Sequence, residues 1–172
     1  MKSKFIPLIL IFIFSITFVI FFKGLKNSNI YTPNTNLKKE VPSFELKSFE
    51  NNSIIISEKI FEDNKYYLMN IWASWCIPCK EEHKFLMELK KDDKIELIGF
   101  NYKDNFKNAS NFLKDLGNPY DIILSDKDGT VSIEWGAYGV PESFLVYQNK
   151  IIKRFIGPIN NEDLLEIQKI IR

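Results

Sequence analysis

Trp72-Ala73-Ser74-Trp75-Cys76-Ile77-Pro78-Cys79 is the stretch on which the reading of this chain turns. It holds the only two cysteines among 172 residues, two positions apart. Before it, Tyr66 to Trp72 is an apolar and aromatic run that reads as a buried strand. After it, Pro78 opens a stretch to about Lys91 in which Phe85, Leu86 and Leu89 recur at helical spacing. Proline is tolerated in a first helical turn, where the N–H it lacks would have no partner. Two thiols so placed close a small disulfide ring and, at a helix start, exchange that disulfide with another protein. The reactive species is the thiolate, which the unpaired N–H groups and positive dipole end of a helix favour. Cys76 stands just before the helix and receives that stabilisation; Cys79 lies inside the first turn, with less exposure expected. Cys76 is therefore the attacking nucleophile, and Cys79 the thiol that resolves the mixed disulfide.

A competing reading makes Cys-x-x-C half of a zinc site, which normally needs a second pair of ligands. The only histidine, His83, follows Cys79 by one helical turn, so Cys76, Cys79 and His83 would leave a fourth position to Glu or water. Without a metal, His83 reads as an ordinary polar residue on the helix face. The strand–Cys-x-x-C–helix context favours redox chemistry, with no metal and no organic cofactor, since a dithiol carries its own electrons. Two cysteines are too few and too close for a structural disulfide framework.

Composition fits one domain plus an anchor. Forty-five per cent apolar residues, with fifteen Phe and seven Tyr, support a real core. Lys and Arg number 23 against 22 Asp and Glu, for a net charge of +1 without a basic stripe, which argues against a nucleic-acid partner. Phe5 to Phe22 contains no charged residue and would rise about 27 Å as a helix, near the thickness of a bilayer's hydrocarbon. The run ends Ile20-Phe21-Phe22-Lys23 with no Ala-x-Ala-like cleavage site, so it reads as an uncleaved signal anchor over residues 5–22, after a short tail of residues 1–4. Basic residues flank it about equally and leave its orientation undecided. Polar residues 23–40 read as a linker, and a domain over residues 41–172 follows.

Within that domain Val41 to Leu46 reads as extended, Ser53 to Ile56 as a short β-branched run, and Ile95 to Tyr102 as a strand. Asn105 to Leu116 reads as a helix ended by Gly117-Asn118-Pro119, and Tyr120 to Leu124 as a strand. Thr130 to Trp135 reads as a short helix, Ser143 to Tyr147 and Ile151 to Ile156 as a hairpin, and Asn161 to Ile171 as a final amphipathic helix. The order β-α-β-α-β, then hairpin and helix, predicts an α/β fold: a central mixed sheet with helices on both faces. Trp72 and Trp135 read as packing. Trp75, beside the nucleophile, reads as a surface for substrate.

Trp75-Cys76-Ile77-Pro78-Cys79, with Pro141 at a strand start, resembles the thioredoxin superfamily. Glu82-His83, Asn101-Tyr102-Lys103-Asp104 and Tyr138-Gly139-x-Pro141-Glu142 narrow the resemblance to the CcmG (DsbE) proteins of cytochrome c maturation, over roughly residues 41–172. Ile77-Pro78 departs from the Pro-Thr pair common between that family's cysteines, which bears on redox potential rather than on identity. The resemblance implies a thioredoxin-like fold with an N-terminal transmembrane helix, and a cis Pro141 opposite Cys76. It implies that the backbone of Val140 pairs with substrate, and that Glu82 and Glu142 tune the thiols or touch substrate. It also implies a bacterial inner-membrane protein, with residues 1–4 as a cytoplasmic tail and the domain facing the periplasm, that keeps the haem-binding cysteines of apocytochrome c reduced for the haem-ligation machinery. Its own electrons would come from a membrane donor of the DsbD or CcdA type.

Overall fold

The computed structural model describes residues 5–26, 39–51, 53–57, 60–61 and 64–172. The proposed tail, and residues 27–38 of the proposed linker, lie outside them. The chain divides into two units, residues 1–34 and 35–172.

The first unit contains α1 (Phe5–Lys26), four residues longer than the apolar run because the helix continues through Lys23 to Lys26. Ile9 to Phe22 carries one exposed apolar side chain after another, broken by Ser15 and Thr17, and the Thr17 hydroxyl donates back to the carbonyl of Ile13. Among the described residues no helix is long and apolar enough to cross a membrane.

The second unit is built on one eight-stranded sheet. Its strands are β1 (Lys39–Glu40), β2 (Glu45–Ser48), β3 (Ile54–Ile56), β4 (Tyr66–Trp72), β5 (Ile95–Tyr102), β6 (Ile122–Asp126), β7 (Glu142–Tyr147) and β8 (Lys150–Ile156). The spatial order is β1-β8-β7-β4-β5-β6-β2-β3. β4, β5 and β6 are parallel, joined through α2 (Ile77–Leu89) and α3 (Phe106–Leu116); every other pairing is antiparallel. This is the expected mixed sheet. Lys39 and Glu40 already pair with Ile151 and Lys150, so the folded domain begins before residue 41.

Strand alternation sorts the core into two layers. Leu68 and Trp72 of β4 face α2, α3 and α5 (Asn161–Ile170), meeting Leu86, Leu113 and Ile167. Tyr67, Met69 and Ile71 face the opposite way, toward Phe44, α4 (Thr130–Glu134) and Trp135. Trp72 and Trp135 are packing residues, as expected. Asn105 caps α3 with its side chain, and Asn160 with Asp163 forms a capping box on α5. The β7–β8 hairpin turns on Gln148 and Asn149, both with positive φ, as a two-residue turn of the hand that matches strand twist requires. At Gly99 of β5 a Cβ would stand 2.8 Å from Trp72 Nε1 and 2.9 Å from the Tyr120 ring, so only glycine lets those stacked rings lie against the strand.

Candidate active site

β4 ends at Trp72, and Ala73-Ser74-Trp75 turns the chain into α2 with Cys76 as its N-cap. The Cys76 N–H donates to the Ala73 carbonyl at 3.2 Å, and the Cys79 N–H donates to Cys76 Sγ at 3.1 Å. A helix-terminal N–H thus faces the Cys76 sulfur. Cys76 and Cys79 form a disulfide with a Cα–Cα distance of 5.3 Å. Cys76 is 5% exposed and Cys79 2%, so the order of exposure is the expected one but the margin is small.

Ser74 and Trp75 are held from across the sheet edge. The Ser74 N–H and hydroxyl donate to the Asp104 carboxylate at 2.5 and 2.8 Å, and Asn101 Nδ2 and the Asn105 N–H bond the same carboxylate at 3.0 and 2.7 Å. Trp75 Nε1 donates to the Lys103 carbonyl at 3.2 Å. The Asn101–Asp104 turn, with Lys103 at φ +46°, thus fixes the loop that carries Cys76.

Antiparallel pairing of Ile71 with Glu142 brings the start of β7 to the end of β4, and with it the preceding loop. The Val140–Pro141 bond is cis, and Val140 packs against both core layers. Trp75, Ile77 and Tyr138 present exposed apolar surface at this edge.

Glu142 does not line that surface. It is buried, and its Oε1 accepts from the N–H groups of Tyr138 at 2.6 Å and Gly139 at 3.2 Å. Oε2 accepts from Arg154 Nε at 2.9 Å and pairs with the second guanidinium nitrogen. The reading of a strand-end surface charge is corrected: both oxygens are occupied, and Glu142 braces the proline loop. The Arg154 guanidinium, itself buried, lies 4.7 Å from the Tyr138 ring centroid.

Glu82 is likewise buried, which corrects the reading of a solvated helix acid. One turn beyond Cys79 on the same helix face, it accepts from Asn70 Nδ2 at 2.9 Å and from the Ile159 N–H at 2.8 Å. Burial raises its carboxyl to about 7, against the opposing pull of those two donors. Asn70 also donates to Ser143 Oγ at 2.9 Å and accepts from the Tyr120 hydroxyl at 2.7 Å. His83, expected on an open helix face, is buried: its Nε2 lies 3.0 Å from the Gly117 carbonyl, and its ring meets Phe112 edge-on. Burial lowers its basicity. Among the described residues no group of three His, Cys, Asp or Glu is disposed to hold a metal ion.

Sequence reasoning thus missed Asn70, Asp104 as an anchor, Tyr120, Ser143 and Arg154. One signal for Asn70 was present, a lone amide inside the apolar run Tyr66 to Trp72. Arg154 on β8 carried none.

A Cys-x-x-C disulfide at a helix N-cap, a cis-proline loop at the same end of the sheet and a buried carboxyl one turn beyond the second cysteine define a thiol–disulfide oxidoreductase. The redoxin family matches residues 36–171. The thiol:disulfide interchange protein DsbE of Escherichia coli is 37% identical over 166 residues, covering 93% of this chain and 89% of its own. The thiol:disulfide interchange protein CycY of Rhizobium leguminosarum is 47% identical over 103 residues, 59% of this chain and 55% of its own. The fold matches the crystal structure of a protein assigned as DsbE from Chlorobium tepidum with a TM-score of 0.65 at 19% identity, covering 81% of this chain and 96% of that one. The chain belongs to the redoxin family, among its DsbE-type thiol:disulfide interchange proteins.

Proposed function

We propose that this oxidoreductase is anchored in the bacterial inner membrane by residues 5–22, faces the periplasm, and reduces the disulfide of the haem-binding Cys-x-x-C of apocytochrome c. The Cys76 thiolate attacks one substrate sulfur, the substrate S–S bond breaks, and a mixed disulfide forms. Cys79, having passed its proton toward the Glu82 carboxylate behind it, attacks Cys76 Sγ. The Cys76–substrate bond breaks as Cys76–Cys79 closes, and the substrate leaves as a dithiol with two electrons, one proton coming from Cys79 by way of Glu82 and the other being the one Cys76 released to solvent on forming its thiolate. An extended substrate peptide runs along the Val140 backbone over Trp75, Ile77 and Tyr138. A donor of the DsbD or CcdA type returns the dithiol, and the haem-ligation machinery consumes the product.

The observation that carries this reading is the Tyr138–Glu142 loop. The residues that set CcmG-type sequences apart from other Cys-x-x-C proteins brace the proline loop here through Glu142 and Arg154. Kinship with DsbE and CycY proteins supports the same pathway. Anchoring is supported by the charge-free run of Phe5 to Phe22.

The test is a full-length Cys79→Ser chain, which attacks but does not resolve, expressed in bacteria that make c-type cytochromes. Mass spectrometry of trapped adducts should recover apocytochrome c or ligation proteins joined through Cys76, and none in a Cys76→Ser chain. Adducts confined to unrelated secreted proteins would leave the exchange chemistry standing and remove the cytochrome pathway.

A further inference from the structure

Beyond the disulfide, polar groups from three elements and one connecting segment meet in a buried layer. Asn70 comes from β4, Glu82 from α2, Ser143 from β7 and Tyr120 from the segment leading into β6, and Asn70, Glu82 and Ser143 are at most 1% exposed. The Asn70 amide is used on both sides. Its Nδ2 donates to Glu82 Oε1 and Ser143 Oγ, and its Oδ1 accepts from the Tyr120 hydroxyl.

The amide has two possible orientations, and they are not equivalent. With Nδ2 toward Glu82, an ionised carboxylate gains a donor and the Tyr120 proton has an acceptor. Rotated by half a turn, Oδ1 would face Glu82, which pairs only when the carboxyl is protonated, and Nδ2 would face the Tyr120 oxygen. The Tyr120 proton would then lose the one acceptor it has here, and an unpaired buried donor is strongly disfavoured. Ser143 does not choose, since a hydroxyl donates or accepts equally well. Tyr120 is therefore the group that breaks the tie. Its ring is fixed by stacking on Trp72, with centroids 5.5 Å apart and planes 20° from parallel.

We propose that Tyr120 and Asn70 are positioning residues for thiol exchange: the Tyr120 hydroxyl locks the Asn70 amide with its donor on Glu82, so that the carboxylate behind Cys79 is held ready to accept a proton. The relay is one-way, from Tyr120 O–H to Asn70 and from Asn70 N–H to Glu82. It rests on the exchange activity alone and not on the identity of the substrate. The titratable groups that face Glu82 are Tyr120 and, from α5, Asp163. Among the described residues none of the ion pairs includes Glu82. Burial keeps the Tyr120 hydroxyl protonated far into the alkaline range, so it remains a donor wherever Glu82 titrates.

The experiment is a carboxyl-carbon NMR titration of the oxidised full-length chain in detergent micelles, where no thiol titrates, with the Glu82 signal assigned by its loss in Glu82→Gln. Tyr120→Phe keeps the ring and removes the hydroxyl. It should move the Glu82 midpoint up by about one pH unit. The pH profile of mixed-disulfide resolution, with oxidised glutathione as the probe, should move the same way. Asn70→Leu should raise the midpoint too, and Tyr120→Phe added to it should then change nothing further, because the relay passes through the amide. An unchanged midpoint in a folded Tyr120→Phe chain overturns the proposal. So does a Tyr120→Phe shift that persists in full on the Asn70→Leu background, and this second comparison decides the matter even where one variant alters packing.

Discussion

The carboxyl of Glu82, lifted to about 7 by burial, sits half-protonated near neutrality and one turn from the resolving cysteine. Its effect on stability has a definite sign. Between its ordinary value of 4.5 and about 7, the folded chain holds a proton that the unfolded chain has lost. Stability from this group therefore falls as pH rises through that window, by about 3 kcal/mol in all. His83 is shifted down by its own burial and acts in the opposite direction, destabilising as pH falls. Comparing wild type with Glu82→Gln cancels the histidine. In urea unfolding of the oxidised chain, Glu82→Gln should gain about 3 kcal/mol on wild type between pH 4.5 and pH 7.5. Parallel curves for the two proteins would mean that Glu82 keeps an ordinary acidity.

Two turns at one sheet edge perform the positioning. The Asn101–Asp104 turn grips the loop before Cys76, and the Tyr138–Pro141 loop is gripped by Glu142 and Arg154. Each depends on one carboxylate taking several donors, which makes each sensitive to one substitution. Asp104→Ala removes the acceptor of the Ser74 N–H and hydroxyl, Asn101 Nδ2 and the Asn105 N–H. The expected cost is about 2 kcal/mol in chemical unfolding. Slower modification of Cys76 in the reduced chain by a disulfide reagent should accompany it, because Trp75 and Cys76 lose their anchor. A rate and stability equal to wild type would reduce the turn to a connection.

At the scale of the whole molecule, both core layers are built from residue 44 onward, and β1 adds the start of the sheet at Lys39. None of the residues that hold the dithiol comes from α1. Deleting residues 1–26 should therefore release the protein from the membrane fraction and leave the rate of exchange with oxidised glutathione within about twofold, since the whole sheet and the dithiol lie within residues 35–172. Retention in the membrane fraction would remove the anchor from the proposal. A large loss of exchange rate would show that the two units depend on each other.

Sequence alone determined the alternation of strands and helices, the dithiol at a helix start and the proline at a strand start. Each is a local property: period, punctuation by Gly and Pro, and spacing along one element. The boundaries of α2 and β6 moved by one or two residues because element ends depend on which partner takes the last hydrogen bond. Only the tertiary structure decided where the two acids point. Glu82 and Glu142 read equally well as solvated charges, and a sequence does not state which face of α2 or which end of β7 will be covered. Around Glu82 the partners stand far off in the chain: Ile159 is 77 residues from Glu82, and Asn70, which donates to it, reaches Ser143 across 73 residues and Tyr120 across 50, whereas the partners of Glu142 lie within 12 residues but on a different strand or loop. Buried polar groups must find partners, but which ones they find follows from how β4, β7, α2 and the segment before β6 pack together, and no local propensity encodes that.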